Sequence, residues 1–128
     1  MYKFISSIFL GVSLVTTPTT TTYIAPPDLP LPPVRVYAEE MVNASFGDQF
    51  EYFDAIIMRE SRWNNKAQNP KSSAYGLCQT MMSLHEENVP KDFKINPYAQ
   101  IDWCIEYIAS RYQTPKRALE FHIKNNWF

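Results

Sequence analysis

The stretch Ile56–Gln79, with the sequence IIMRESRWNNKAQNPKSSAYGLCQ, decides the fold of this chain. An apolar stripe at helical spacing leads into it and consists of Phe50, Phe53, Ile56 and Ile57. This spacing predicts one face of an amphipathic helix. Glu60 projects from the same face, because it lies three and four residues beyond Ile57 and Ile56. A carboxyl group there would be desolvated, and desolvation raises its pKa, as a general acid at neutral pH requires.

The residues after Glu60 decide between that role and a simpler one. Taken alone, Glu60 is better explained as a helix-end carboxylate that pairs with Arg59 or Arg62. The chain continues, however, from Ser61 through Asn69-Pro70 to Ser-x-Ala-x-Gly-Leu-x-Gln at residues 72–79. This string resembles the soluble lytic transglycosylase and goose-type lysozyme superfamily. The resemblance implies a lysozyme-like α-helical domain that cleaves peptidoglycan, with Glu60 as the catalytic acid and base.

In the superfamily that the chain resembles, the Gly-Leu-x-Gln segment lines the glycan cleft. The residues expected to contact the glycan are therefore Ser61, Ser73, Tyr75, Gly76 and Gln79. The amide of Gln79 and the aromatic face of Tyr75 suit the hydroxyl rim and the C–H faces of a sugar ring. Gly76 is expected to let the backbone approach Glu60 or the sugar closely. The simpler alternative is that Tyr75 packs in the core and Gln79 caps backbone groups.

The 128 residues predict one folded domain behind a distinct N-terminal part. Residues 1–17 contain Lys3 and then a mostly apolar run, which has the length of a signal peptide and is short for a membrane span. We expect an export signal or a weak membrane anchor; a disordered tail on a protein that is never exported is the alternative. Residues 18–37 are rich in Thr and Pro, which predicts an extended linker with polyproline II character. The domain is expected over residues 38–128.

Capping and stripe signals divide the domain into helices. A short helix is expected over residues 39–46, and the helix of Glu60 follows it. The helix of Glu60 is predicted to start at a capping box formed by Asp48 and Glu51, and a second long helix at Tyr75 or Gly76. Two more helices are predicted to start at Asn96-Pro97 and Thr114-Pro115, where an N-cap residue precedes a proline at the first helical position. Because no alternating run is long enough for a sheet, the fold is predicted to be mainly α, with an extended Pro/Thr-rich N-terminal segment.

A second resemblance lies at residues 107–128, YIASRYQTPKRALEFHIKNNWF. This segment is similar to the C-terminal part of small lysozyme-like domains of secreted Gram-positive wall proteins and phage proteins. It departs from their pattern at Phe128, where Tyr is common, and at Gln113, where Gly is usual. The Ala-Tyr-Asn motif of longer transglycosylases, whose Tyr orients the catalytic Glu, has no evident copy here. Tyr107 or Tyr112 is the candidate for that place, and an empty place is the alternative.

The chemistry that the resemblance implies needs one carboxyl group, whereas most glycosidases use two. Glu60 would protonate the glycosidic oxygen between N-acetylmuramic acid (MurNAc) and N-acetylglucosamine (GlcNAc). The same group would then deprotonate the muramyl 6-hydroxyl, which attacks C1 and leaves a 1,6-anhydromuramyl end. The alternatives are a hydrolytic muramidase that uses water and a second carboxylate such as Asp92, and an inactive module that only binds glycan.

The remaining polar residues set the expected partners. Cys78 and Cys104 are the only cysteines, and a disulfide and a pair of buried thiols both remain open. Together with His85 and His122 they lack zinc-site spacing, so no metal and no cofactor are expected, and His122 is interpreted as a core-edge residue.

The balance of 12 basic against 13 acidic residues argues against a nucleic-acid partner. The expected partners are peptidoglycan glycan strands, with transient membrane association through the N-terminal segment, and the chain is expected to be a monomer. We expect an exported protein that is periplasmic, wall-associated or extracellular; virion-associated and membrane-tethered forms are the alternatives.

Overall fold

The structure, a computed structural model, describes residues 30–128. The export signal or anchor predicted at residues 1–17 lies outside the described residues, as does the predicted linker up to residue 29. The elements in chain order are α1 (Val34–Phe46), α2 (Phe50–Glu60), β1 (Ala74–Tyr75), β2 (Thr80–Met81), α3 (Met82–His85), α4 (Pro97–Tyr112) and α5 (Pro115–Asn125). The prediction of a mainly α-helical domain is confirmed.

Helix α1 begins at Val34, earlier than the domain boundary predicted at residue 38. Pro33 directly precedes the helix at the N-cap position. Proline is tolerated at a helix start, because the N–H group that it lacks would have no partner inside the helix. Two hydroxyl groups hold this end of the chain on α4. Tyr98 donates to the carbonyl oxygen of Pro32, and Tyr37 donates to Asp102 Oδ1, both at 2.7 Å. The last turn of the predicted linker is therefore helical.

Helix α2 carries the predicted apolar stripe. Its fully buried residues are Phe53, Ile56 and Ile57. The capping box predicted at Asp48 and Glu51 is wrong, because Gln49 occupies the N-cap position and makes no side-chain cap hydrogen bond. Gln49 Oε1 accepts instead from the backbone N–H of Lys116 at 3.1 Å. This hydrogen bond ties the start of α2 to the first turn of α5.

A β-hairpin replaces the second long helix predicted from Tyr75 or Gly76. Strands β1 and β2 pair antiparallel, with Tyr75 opposite Thr80. Gly76 and Gln79 in the connecting loop have φ values of 83° and 52°. A right-handed helix cannot run through such residues. Of the predicted helix only the four-residue α3 remains.

Helices α4 and α5 begin at the predicted caps, which are confirmed. The side chain of Asn96 accepts from two backbone N–H groups of α4, and the side chain of Thr114 accepts from Arg117 N. These bonds satisfy N–H groups that have no partner inside the helix. Gln113, where the resembled pattern usually has Gly, ends α4 with a φ of 68°. The chain thus adopts the backbone conformation that glycine would adopt at lower cost.

The core lies between the helices, with α2 packed on α5 and α1 packed on α4. The buried stripe of α4 includes Ile101, Cys104, Ile105 and Ile108. A disulfide joins Cys78 in the hairpin loop to Cys104, with 6.3 Å between the Cα atoms. Closing a loop of this length contributes about 3–4 kcal/mol in the chain-entropy account. None of the helices between residues 30 and 128 combines the length and the apolar character that crossing a bilayer requires.

Candidate active site

Glu60 is the last residue of α2, and its side chain is 17% exposed. A sharp turn follows it, in which Arg62 and Trp63 are both left-handed, with φ values of 52° and 62°. Non-glycine residues in this region cost on the order of 1–3 kcal/mol each. The backbone N–H groups of Ser61 and Arg62 both donate to the carbonyl oxygen of Ile57, which closes the helix. Backbone strain is therefore concentrated directly after the candidate acid.

Asp54 holds this turn in place. Its Oδ1 accepts from the indole Nε1 of Trp63 at 2.8 Å, and its Oδ2 accepts from Arg35 at 2.7 Å. The Arg35 guanidinium also lies over the Trp63 ring, 5.9 Å from its centroid. Trp63 packs against the core and, through its hydrogen bond to Asp54, braces the turn after Glu60.

His122 of α5 is the side chain that contacts Glu60. Its Nε2 forms a short hydrogen bond with Glu60 Oε1. The second carboxyl oxygen, Oε2, makes no hydrogen bond within residues 30–128 and is not buried. The ring of His122 is itself buried, and its centroid lies 5.9 Å from that of Phe128. The carboxyl group is thus held through one oxygen and left available through the other.

The pKa of Glu60 is raised above its ordinary value of 4.5. Burial is the largest cause, because desolvation disfavours the charged carboxylate. The hydrogen bond with His122 acts in the opposite direction, as would a positive charge on its ring whenever that ring is protonated, and these are the smaller effects. The net direction favours the protonated carboxyl group that a general acid needs.

Gln100 fixes the hairpin loop against α4 and is fully buried. Its Oε1 accepts from the N–H of Leu77 at 2.8 Å, and its Nε2 donates to the carbonyl oxygens of Asn65 and Phe93 at 3.0 and 2.9 Å. A Cβ atom added to Gly76 would lie 2.5 Å from Gln100 Oε1. The close approach observed at Gly76 is therefore to Gln100, and an approach to Glu60 or to the sugar stays a prediction.

Gln79 lies at the end of the hairpin loop and caps backbone groups, which is one of the two roles considered from the sequence; its contact with glycan stays a prediction. Its Nε2 donates to the carbonyl oxygens of Ala67 and Gly76, at 3.1 and 2.9 Å. The side chain also lines a groove, and its amide oxygen makes no hydrogen bond within the described residues. One end of the amide is used for the loop, while the other end can accept a hydrogen bond from a ligand.

This aromatic groove has a volume of about 270 Å³. It lies between the hairpin, α3, α4 and the C-terminal residues. Its lining consists of Cys78, Gln79, Thr80, Met81, Leu84, His85, Trp103, Tyr107, Arg111, Trp127 and Phe128. A shallow depression continues it along α4 and adds Glu106 and Ser110. Glu60 does not line the aromatic groove; His122 stands between it and the groove residue Phe128.

The other residues expected to contact glycan have partners inside the protein. Ser61 Oγ donates to the Ile57 carbonyl oxygen at 3.3 Å, and Ser73 Oγ donates to Ser83 Oγ at 2.9 Å. The hydroxyl of Tyr75 donates to the carbonyl oxygen of Lys94 at 3.1 Å. None of them lines the aromatic groove. Their contact with glycan stays a prediction.

The candidate second carboxylate, Asp92, is also engaged elsewhere. Its Oδ2 accepts from Asn96 Nδ2 at 2.7 Å, beside the start of α4. It lines neither the aromatic groove nor the depression. Glu106 is the only carboxylate among the described residues that lines either one. Within residues 30–128, no group of three or more His, Cys, Asp or Glu side chains is arranged to hold a metal ion.

The comparison with protein families decides the identity of the fold. The model of the transglycosylase SLT domain matches residues 39–124, which is more than half of the chain. The chain belongs to this family. Neither the curated proteins nor the solved structures gave a match. Membership supports a lytic-transglycosylase-type function that acts on peptidoglycan, as the resemblance implied.

Two residues of this SLT domain escaped the sequence analysis. His122 was interpreted as a core-edge residue, and it contacts Glu60 across 62 positions of sequence. Gln100 lies on the buried stripe of α4, where a polar side chain is a signal of an internal hydrogen-bonding role. The three groups that it bonds could not have been named, because they lie on other segments.

Proposed function

We propose that this SLT domain is a peptidoglycan lytic transglycosylase that cleaves the β-1,4 bond between MurNAc and GlcNAc. The observation that carries the proposal is the state of Glu60. Its carboxyl group is desolvated enough to raise its pKa, is held through Oε1, and presents an unbonded Oε2. These are the properties of a general acid that must be protonated near neutral pH and must still reach a substrate.

Glu60 first donates its proton to the glycosidic oxygen, and the bond from C1 of MurNAc to that oxygen breaks. The carboxylate then removes the proton of the muramyl 6-hydroxyl, whose oxygen attacks C1. The product has a 1,6-anhydromuramyl end, and Glu60 regains its proton. Because the attacking group belongs to the same sugar, proximity replaces a bound water and a second carboxylate.

The aromatic groove provides the binding surface for the glycan. Trp103, Tyr107 and Trp127 offer ring faces for the C–H faces of sugars, and the free amide oxygen of Gln79 accepts from a hydroxyl. Phe128 borders the groove, and its ring centroid lies 5.9 Å from that of His122, which bonds Glu60. The groove and Glu60 are thus neighbours through these two rings, and the groove would hold sugars on one side of the scissile bond.

The alternatives are a hydrolytic muramidase and an inactive glycan-binding module. A muramidase would need a second carboxylate, and Glu106 beside the aromatic groove is a better placed candidate than Asp92. The retained Glu60 and the raised pKa of its side chain favour an active enzyme over a binding module.

Digestion of purified peptidoglycan, followed by mass spectrometry of the product ends, tests the proposal. Anhydromuramyl ends are expected. Reducing ends that carry ¹⁸O from labelled water would show a hydrolase, and the loss of such ends in Glu106→Gln would identify its second carboxylate. Intact sacculi with bound protein would show a binding module.

We further propose that the protein acts outside the cytoplasm, where its substrate lies. The Cys78–Cys104 disulfide supports this proposal, because such bonds persist in oxidising compartments. Cell fractionation with alkylation of free thiols tests it. An exported, alkylation-resistant chain is expected, whereas a reduced chain in the cytoplasmic fraction would overturn the proposal. Virion association and membrane tethering would appear as co-sedimentation with particles or with membranes.

A further inference from the structure

The contact between Glu60 and His122 joins two helices across the core. Glu60 ends α2, His122 lies in the last turn of α5, and these two helices pack against each other. The side chain of His122 is 9% exposed. A buried polar pair of this kind needs its hydrogen bonds to be complete, because an unpaired buried N–H group has lost its hydration without gaining a partner.

The hydrogen bonds of His122 indicate which tautomer its ring adopts. Its Nδ1 is buried and has no hydrogen-bond partner among the described residues. A proton on Nδ1 would therefore create an orphaned buried donor, both in the imidazolium and in the neutral Nδ1–H tautomer. The neutral Nε2–H tautomer avoids this cost, since Nδ1 then carries only a lone pair. In that tautomer Nε2–H donates to Glu60 Oε1.

We propose that His122 is a positioning residue, whose fixed Nε2–H group engages Glu60 Oε1 and thereby directs the acidic proton to Oε2. This inference rests on the proposed function of Glu60. An Oε1 that already accepts a hydrogen bond from Nε2–H has no room for its own proton on that side. The proton then lies on Oε2, the oxygen without a protein partner. His122 itself neither gains nor loses a proton during the two transfers.

No other candidate for orienting Glu60 forms a hydrogen bond with it within residues 30–128. Ser61 Oγ bonds the backbone of α2, and the Tyr107 ring packs edge-on against Phe128 with 5.8 Å between the centroids. The other ionisable groups of this region are Arg59 and Arg62 beside Glu60 and Tyr107, Arg111 and Tyr112 on α4. The causes that set the direction of the Glu60 pKa are burial and, in the opposite direction, His122.

The experiment compares His122→Gln, His122→Phe and Lys124→Gln in the full chain. Gln keeps a donor for Oε1 but cannot become a cation, and Phe removes the donor while filling the space. Lys124→Gln is the control, because Lys124 is an exposed residue of α5 that lines neither the aromatic groove nor the depression. We expect kcat on peptidoglycan to fall about 10- to 100-fold in His122→Phe, the scale of loss for a misplaced catalytic group. The apparent affinity for sacculi should change less than threefold, and His122→Gln should recover most of the lost kcat.

The pH profile separates positioning from a packing defect. The hydrogen bond from His122 lowers the pKa of Glu60, so its removal should move the alkaline limb of kcat to higher pH in His122→Phe. The limb should stay in place in Lys124→Gln. Equal losses of kcat and affinity, with an unmoved limb and no rescue by Gln, would overturn the inference.

Nitrogen NMR of the two imidazole rings supplies a readout that needs no turnover. We expect the ¹⁵N shifts of His122 to report the neutral Nε2–H tautomer at neutral pH, and Glu60→Gln to change the His122 signals but not those of His85. An Nδ1–H tautomer or an imidazolium would overturn the inference. If wild-type protein fails to cleave peptidoglycan while these NMR results hold, the proposed function fails and the pairing stands.

Discussion

Replacing Gln100 by Leu should destabilise the domain strongly, although the two side chains are similar in size. The substitution removes the partner of the Leu77 N–H and of the Asn65 and Phe93 carbonyl oxygens. Each buried group left without a partner costs about 1–3 kcal/mol. The hydrogen bonds to the Leu77 N–H and the Phe93 carbonyl oxygen are buried, and the one to the Asn65 carbonyl oxygen is part-buried. Together their loss should lower the free energy of unfolding by about 3 kcal/mol.

Thermal and urea unfolding, followed by circular dichroism with the disulfide intact, measure this loss. A change of 1 kcal/mol moves Tm by roughly 4–8 °C in a domain of 60–100 residues. We therefore expect Gln100→Leu to lower Tm by about 12–24 °C. Gln68→Leu is the matched control, because Gln68 is exposed and its substitution should stay within about 0.5 kcal/mol. A Tm for Gln100→Leu within a few degrees of this control would refute the reasoning.

Three further predictions concern the disulfide, the pH dependence of stability and the groove. Replacing Cys78 and Cys104 by Ser should lower the free energy of unfolding by about 3–4 kcal/mol, measured by urea unfolding against wild type without reductant; an unchanged midpoint would contradict the disulfide. Because folding raises the pKa of Glu60, the folded state binds more protons, so stability should decline as pH rises above 4.5. In Glu60→Gln, Tm measured as a function of pH should decline less than in wild type. Parallel curves of Tm against pH for the two proteins would contradict this prediction. Among residues 30–128, Arg111 is the only Lys or Arg that lines the aromatic groove, and its guanidinium lies 5.5 Å from the Trp127 ring centroid. Arg111→Gln should weaken binding of carboxylate-bearing muropeptides several-fold in calorimetry and leave neutral chitooligosaccharides unaffected, whereas Arg111→Lys should retain most of the affinity.

The helices whose signals are local could be predicted from the sequence. The apolar stripe before Glu60 predicted α2, and the caps at Asn96 and Thr114 predicted the starts of α4 and α5. In each case the residues that make the hydrogen bond or the stripe lie within one or two turns of one another. Such elements need no knowledge of the rest of the chain.

The hairpin could not be predicted in the same way. Its loop requires a positive φ at Gln79, which is not a glycine, and the N–H of Leu77 is satisfied by Gln100, which lies 23 residues further along the chain. The run from Gly76 to Met82 contains enough apolar residues for a helix face, so periodicity alone favoured the wrong element.

The candidate site could be predicted only where its signal is local in the sequence. Glu60 stands out locally, because a carboxyl group on an apolar stripe conflicts with ordinary patterning. His122 does not stand out, since a histidine on an amphipathic helix is an ordinary edge residue. Only the packing of α5 on α2 brings the two together.

The turnover of Glu60→Gln tests the central claim most directly. The measurement is the rate of release of soluble muropeptides from purified sacculi, for wild type, for Glu60→Gln and for the exposed control Glu120→Gln on α5. Loss of a general acid and base lowers the rate by at least about 10²- to 10⁴-fold. The account predicts a loss of that size in Glu60→Gln, with unchanged binding to sacculi and wild-type rates in Glu120→Gln. Release of anhydromuropeptides by Glu60→Gln at a rate close to that of wild type would contradict it.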